Sequence, residues 1–449
     1  MQDFVRSLFG SHKIILRDTD RPVTPFGGLA ALVEFLRGVG FSAAVEGAMP
    51  FTLGSNNAIA PAETFTAFVF SVVTGARRFA HAQMLRADRA LHELLGMERF
   101  PGDDTIRNFF RRFKMPQVNS CFDALFGWQL ARVPAREGGY TLDLDSTVFE
   151  RHGRQEGAHR GYNPKRSGTA MHHPILAVLA EAQFVLHAWL RSGNARASRG
   201  VVEFLRETFA RLPGHIHIRC LRADSGFFDG KLLDVLEEKS IPYLIVARRT
   251  HGIKPRLAAL ENWVRIDESI SVSEMTVQLH GWSVPRRIIV IRERLREPVS
   301  RRQPLLLDVP GYTFRIIVTN RTEEPLKLWR DYNGRAAIEE RIKELKHDLG
   351  ADGFCMKKFY STEAAFRSVL FVFNLLGAFQ RATDIKPYRQ PATLRHLVFI
   401  CGAILGRSGH DRVLHLSKSW GGFEKRKPLF DKLRPTPDPT SPKFDPAPA

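Results

Sequence analysis

Three carboxylates and one polar helix stripe have the residue types and spacing to do chemistry in this chain. Asp145 lies in the run YTLDLDSTVFE, Tyr140–Glu150, where apolar and polar residues alternate as in a strand and put Asp143 and Asp145 on one face. Asp224 follows a second strand-like run, His215–Arg222, within Ala223-Asp224-Ser225-Gly226. The C-terminal end of a strand is where open α/β sheets gather their ligand sites. Glu339 lies inside Leu326–Leu349, which reads as one long helix. At roughly 100° per residue, with Tyr332 at 0°, Arg335 falls near 300°, Glu339 near 340°, Lys343 near 20° and Lys346 near 320°. These five share a stripe about 80° wide. Such a stripe suits a helix that faces a phosphate and a metal. A solvated ladder of i,i+4 ion pairs, Glu339 with Lys343, fits the same spacing. Carboxylates without His or Cys partners favour a hard cation, Mg²⁺ or Mn²⁺, over zinc. Two such ions activate a water or hydroxyl and stabilise the leaving oxygen in phosphodiester displacement. Asp143 and Asp145 are alternative first ligands on this reading.

The charge says which phosphodiester. Among 449 residues, 66 Lys+Arg against 47 Asp+Glu give a net charge of +19, spread along the chain rather than gathered in one tail. An extended face of that sign attracts polyanions, and a carboxylate cluster on it makes DNA the natural substrate. With 44% hydrophobic and 25% charged residues the chain is globular rather than disordered. The apolar runs Phe65–Ala76, Val369–Phe379 and His396–Leu405 are too short or too interrupted to span a bilayer. The first residues lack the apolar stretch of a secretory signal, and the four cysteines are scattered with no CxxC pair. A cytoplasmic protein without a membrane partner is therefore expected. His152, His159, His172 and His173 fit no zinc spacing.

The elements that must position these groups fall into an order. Amphipathic stretches at Leu29–Gly38, Ala62–Ala76 and Ala82–Leu95 read as helices. Asp104-Thr105 is placed to cap another through Phe113, from which Arg107, Arg111 and Arg112 project towards phosphates or solvent. After Gly139 come strands at His173–Leu179 and Phe184–Arg191, a helix at Arg199–Arg211, the Asp224 strand, a helix at Gly230–Lys239 and a strand at Tyr243–Arg248. Strands in series, then strand–helix alternation, point to an α/β sheet covered by helices. From Thr250 to Val318 strand-like pieces recur at Thr276–Leu279, Arg287–Ile291 and Thr313–Val318, and a further helix is expected at Thr362–Arg381.

Tyr332, Arg335, Glu339 and Lys346 meet the signature Y-x2-R-x3-E-x6-K without a gap, and upstream stand LDLDST (Leu142–Thr147) and ADSGF (Ala223–Phe227). With GYNPKRSG (Gly161–Gly168), HPILAVLAE (His173–Glu181) and LRSGN (Leu190–Asn194), this ordered set resembles the DDE transposases of bacterial insertion sequences. The branch is the one marked by Tyr-Arg-Glu-Lys, the transposase DDE domain group 1 type, and the likeness runs over about residues 100–385. The resemblance implies an α/β, RNase H-like catalytic core with a β-strand insertion, preceded by a helical DNA-binding region. Its parts would be residues 1–135, helical and bound to terminal repeats; 136–249, the first part of the core; 250–320, the insertion; and 321–385, the second part with the Glu-bearing helix. Residues 386–427 would form a C-terminal helical region, and 428–449, with seven prolines, a disordered tail.

The resemblance further implies that Asp145, Asp224 and Glu339 bind two Mg²⁺ ions, with Mn²⁺ as a substitute, and that the Asp-Ser-Thr context favours Asp145 over Asp143. Tyr332, Arg335 and Lys346 of the signature would contact DNA; Lys343, outside the signature but on the same stripe, and Arg107 and Arg111, on the face of their helix, are further candidates from spacing. Trp282, or Trp263, would stack on a flipped base or else serve as core of the insertion. DNA cleavage at terminal inverted repeats and strand transfer into target DNA, by a homodimer in a synaptic complex, are the implied activity. A cleavage-dead DNA-binding derivative and a nuclease without strand transfer are the alternatives.

Overall fold

The computed structural model describes residues 4–9, 12–55, 57–161, 163, 166–294, 311–420 and 427–429. Its centre is a nine-stranded sheet. In chain order the strands are Tyr140–Ser146 (β1), Ile175–Leu179 (β2), Phe184–Trp189 (β3), Ile218–Ala223 (β4), Tyr243–Val246 (β5), Val264–Arg265 (β6), Ile270–Val277 (β7), Arg286–Arg294 (β8) and Tyr312–Thr319 (β9). Across the sheet they run β6-β7-β8-β9-β5-β4-β1-β2-β3. β4 pairs in parallel with both β1 and β5, while β2 is antiparallel to β1 and to β3. The order β3-β2-β1-β4-β5, with β2 alone reversed, is the RNase H-like core. β6 to β9 continue it by antiparallel pairing beyond β5, so the inserted strands extend the core sheet instead of forming a separate one.

Period-two alternation sorts the side chains. Ile175, Ala177 and Leu179 of β2 enter one hydrophobic core, and Leu176 and Val178 enter the other. The first of these faces is covered by the helices Val201–Ala210 and Gly230–Glu238, through Val201, Phe204, Leu205, Leu232, Leu233 and Leu236. Asp229 starts the second of them by accepting the Lys231 N–H. The opposite face receives Phe359–Ala382 (α1), the longest helix. By length and composition α1 could cross a membrane, yet 94% of its most apolar window is buried inside the protein. It is a core helix, wrapped by Leu29–Gly38, Phe41–Ala48, Pro61–Val73, Asp103–Arg111 and Met115–Leu130, whose apolar residues join the same core.

Four sequence expectations need correction. Leu326–Leu349 is divided into Pro325–Asn333 (α2), Ala336–Lys343 (α3) and a π-turn at Glu344–Asp348. Between α2 and α3 the N–H groups of Arg335, Ala337 and Ile338 reach carbonyls three residues back, so the turn is tighter than α-helical. Ala82–Leu95 is likewise broken, into Gln83–Arg86 and Arg89–Leu95, because Asp88 caps the second piece through the Leu91 N–H. The helix expected from Asp104 to Phe113 is Asp103–Arg111, starting after Gly102 without a side-chain cap. The described residues from 386 to 420 run through a short helix, Pro391–Leu394, then a π-turn and a hairpin of Ala403–Ser408 with Asp411–Leu416, so the region is not mainly helical. The proline-rich segment from residue 430 onward and part of the Gly161–Gly168 motif lie outside the described residues.

Candidate active site

β1 and β4 pair with Asp143 opposite Arg222 and Leu144 opposite Ala223. Asp145 and Asp224 are the next residues along each, so both stand at the C-terminal edge of a parallel pair. Leu142, Leu144, Leu221 and Ala223 point into the core below. Asp143, Asp145 and Arg222 are left on the other face, where the helical segment α2–α3 lies.

The two aspartates of β1 have separate employments. Asp143 is fully buried, and Arg222 grips it with both forks, Nε to Oδ1 at 2.6 Å and Nη2 to Oδ2 at 2.8 Å. The third guanidinium nitrogen donates to the Asp331 carbonyl at 2.6 Å, tying the pair to α2. Burial pushes the Asp143 carboxyl above its ordinary pKa, although Arg222 opposes this. This is a closed bidentate ion pair with no oxygen to spare. Asp145 is open by comparison. Its Oδ1 accepts the Ser146 N–H at 2.8 Å and lies 3.1 Å from Arg335 Nη2. Burial raises its pKa to about 6; Arg335 works against the rise, and the charges of Asp224 and Glu339 add to it.

Arg335 joins the two chain regions. Its Nη2 also donates to the Leu144 carbonyl at 3.4 Å, and its Nη1 lies 3.6 Å from Glu339 Oε1. Glu339 projects outward, with a side chain 62% exposed. Asp224 accepts the Gly226 N–H at 2.9 Å and so starts the short turn Ser225–Phe227. Arg248 secures that turn from outside by donating to the carbonyls of Ser225 and Gly226. Tyr332 is buried against Cys220, Leu244, Ile317 and Leu328, and burial raises the pKa of its hydroxyl.

A hard cation fits these residues by donor chemistry and by charge. Asp145 and Asp224 stand at the ends of adjacent strands and Arg335 links Asp145 to Glu339; burial, with the charges of Asp224 and Glu339 adding to it, holds the Asp145 carboxyl up at about 6. As placed, no group of three or more His, Cys, Asp or Glu side chains could hold a metal ion among the described residues. The guanidinium of Arg335 stands between Asp145 and Glu339 as their present countercharge.

The remaining predicted contacts are dispersed. The five-residue stripe is graded in depth: Tyr332 and Arg335 are buried, and Glu339, 3.6 Å from Arg335, is exposed. Lys343 is also exposed and pairs with Glu340 at 2.5 Å rather than facing the carboxylates. Lys346, in the π-turn, donates to the Val148 carbonyl at 3.0 Å, just beyond β1. Arg107 is held by Asp103 at 3.4 Å, and Arg111 donates to Asn108 at 2.6 Å. Both line a large cleft on the side of the N-terminal helices. Trp282 is a core residue, packed edge-on to Phe228 and covered by Arg286, so as placed it offers no ring face to a base. Trp263 is stacked under Arg292, and its indole N–H donates to the Leu260 carbonyl. His172 is a structural histidine: its Nδ1 accepts from Arg151, and its Nε2 then donates to the Glu156 carbonyl.

Sequence reasoning passed over Arg222 and Arg248. Arg222 carried a readable signal, an arginine two residues before Asp224 on the strand that runs beside Asp143. Arg248 carried none, because its role depends on how β5 ends. On the Asp224 side a second cleft, about 530 Å³, is lined by Ser225, Arg248, Arg249 and Arg315 and adds positive charge beside the carboxylates.

The family described as transposase DDE domain group 1 matches residues 7–437 of this chain. No curated protein matches it. Among solved structures, one similar to it is described as the cryo-EM structure of a piggyBac transposase synaptic complex with hairpin DNA. The identity is 10% and the TM-score 0.45, covering 84% of this chain and 81% of that chain.

Proposed function

The chain belongs to the transposase DDE domain group 1 family, and from that premise we propose that it is a DNA-cleaving transposase acting at the ends of its own insertion sequence by cut and paste. The observation that carries the reading is Arg335 held between Asp145 and Glu339, with Asp224 at the end of the neighbouring strand close enough for its charge to act on Asp145. Asp145, Asp224 and Glu339 would hold Mg²⁺, with Mn²⁺ as substitute. Bound there, the metal would activate the attacking water or 3′-hydroxyl and stabilise the leaving oxygen.

The chain's own residues supply position and charge. Asp145 and Asp224 are fixed by strand register and by backbone N–H donors, so their separation is set before DNA arrives. Glu339 is exposed and free to swing towards them. Arg335, released from that carboxylate, is placed to grip the phosphate beside the scissile one with its planar fork. The net charge of +19 and the cationic clefts on either side would draw the duplex across this edge. Terminal inverted repeats, target DNA and a homodimeric synaptic complex belong to the same proposal.

The test is cleavage of linear DNA bearing the element's ends, in Mg²⁺ and in EDTA, by the parent and by Glu339→Gln. Metal-dependent cutting at the ends that disappears in the variant supports the reading. Tight binding to the ends without cutting in either condition would replace it with a non-cleaving DNA-binding role.

A further inference from the structure

A cleft of about 960 Å³ opens between the N-terminal helices and the segments that follow β1 and precede α1. Arg78, Arg107 and Arg111 line it from the helices, and Arg151, Lys357 and Lys358 from the segments, against two acidic residues, Glu150 and Asp352. Arg107, Arg151 and Lys358 are partly engaged, the first by Asp103, the second by His172 and the Asp352 carbonyl, and the third by exposed Glu156 at 3.9 Å. Arg78, Arg111 and Lys357 have no acidic partner among the described residues, so the cleft carries charge for something outside the chain.

The first turn of α1 ends in this cleft. The Phe359 N–H donates to Glu156 at 3.2 Å, but the N–H groups of Tyr360 and Ser361 find no acceptor among the described residues. Such first-turn donors, at the positive end of a 24-residue helix, form an anion site. A second observation is independent of the helix end. Ser361 is fully buried and lines the cleft, and among the described residues neither its Oγ nor Gln155 Oε1, also on the lining, has a hydrogen-bond partner. Buried polar atoms are ordinarily satisfied, and these two sit among six cations.

We propose that this cleft is a second DNA-backbone site, in which Ser361, the free N–H groups of α1, Lys357 and Lys358 receive a phosphate while Arg78 and Arg111 flank it. The proposal rests on the reading of the chain as a DNA-cleaving transposase. Glu150, on the cleft wall, lies five residues past Asp145, so the chain between them spans at most roughly 17 Å. That is about five base-pair rises, so one duplex reaches both the carboxylate edge and the cleft. The cleft would hold the element's end in place while the carboxylates act.

Binding of labelled end duplex is measured in EDTA on the Glu339→Gln background, across a salt series, so that cutting does not intervene. Lys357→Ala with Lys358→Ala should weaken binding roughly tenfold or more and make the slope of log K against log salt shallower by about 2, one for each lost contact. Ser361→Ala should weaken binding roughly threefold to tenfold with the slope unchanged, since it removes a neutral donor. Its melting temperature, unchanged or higher, shows that the loss is not misfolding. Lys231→Ala with Lys239→Ala, on the far side of the sheet, should leave affinity near the parent's. Equal binding by the parent, the Lys357/Lys358 variant and the Ser361 variant overturns the cleft site and leaves the catalytic proposal standing. A parent that shows no affinity for DNA overturns both.

Discussion

Replacing the two aspartates of β1 one at a time should move stability in opposite directions. In Asp143→Asn, the Arg222 guanidinium loses the charge that compensates it while remaining only 8% exposed. Breaking one side of a buried ion pair costs about 3–5 kcal/mol, and an asparagine oxygen that keeps one of the bonds puts the expected loss near the lower end. In Asp145→Asn the sign reverses. The folded pKa of Asp145, about 6, lies above its unfolded value, so the native state binds its proton more tightly and ionisation opposes folding. At pH 7 that opposition is worth roughly 3 kcal/mol, and it vanishes below the unfolded pKa. Removing the charge returns some of it, less what Arg335 loses with only Glu339 left beside it. The expected change lies between roughly 0 and +3 kcal/mol at pH 7, with the gain about halved at pH 5. Denaturant midpoints of both variants and the parent, taken in EDTA at pH 7 and pH 5, read these numbers; end cleavage in Mg²⁺ is measured in parallel. Asp145→Asn should abolish cutting without loss of stability. A stable Asp143→Asn that no longer cuts, or an Asp145→Asn as destabilised as Asp143→Asn, would refute the division of roles and make Asp143 the ligand.

Because the Glu339 side chain is largely exposed, Glu339→Gln should shift stability by no more than about 0.5 kcal/mol while single-turnover cleavage falls roughly 10³-fold or more; a melting point several degrees lower would point to a structural ion pair instead. Burial holds His187 at about 4, so its proton is bound more readily by the unfolded chain, and the stability it permits above pH 6.5 is lost as pH falls towards 4. Asp145 and Glu344, whose pKa values are raised, act in the opposite sense, so the test is a difference: the gap between parent and His187→Phe should change by about 2 kcal/mol from pH 8 to pH 5, and a constant gap would refute it. Gly193→Ala should cost roughly 3 kcal/mol or more in a thermal melt, because a Cβ there would stand 2.0 Å from the Met171 carbonyl oxygen and 2.2 Å from that of His159; an unchanged melt would show that the two backbones can separate.

The carboxylate edge was legible where it depended on short-range pattern. Alternation in LDLDST located β1 and the shared face of Asp143 and Asp145, but not which of them faces a cation, because that turns on Arg222 in a strand nearly eighty positions away. The helix wheel assumed one uniform helix from Tyr332 to Lys346, whereas a tight turn joins α2 to α3 and a π-turn follows α3; Arg335 and Glu339 keep their i,i+4 relation, but Lys343 turns to Glu340. The inserted strands were visible as apolar alternation, whereas their joining of the core sheet depends on β9 pairing with β5, which no local pattern states. Trp282 drew attention as an aromatic of the inserted strands. Its burial follows from Phe228 and Arg286, contacts that only the assembled sheet provides.

The burial of α1 also bears on how force travels through the molecule. Asn374, in the second half of it, clasps the backbone of Val185 in β3 by donating at 2.9 Å and accepting at 2.8 Å, and it also donates to Gln129 of the N-terminal helices, whose own amide donates back to the Phe371 carbonyl. Helices and sheet are thus bolted to one shaft. The N-terminal third cannot be lifted away as a detachable cassette, nor expressed without baring the apolar face of that shaft. A duplex that pulled on the helices would load the β2–β3 hairpin, and through it β1, so tension on the DNA would arrive at the edge where Asp145 sits.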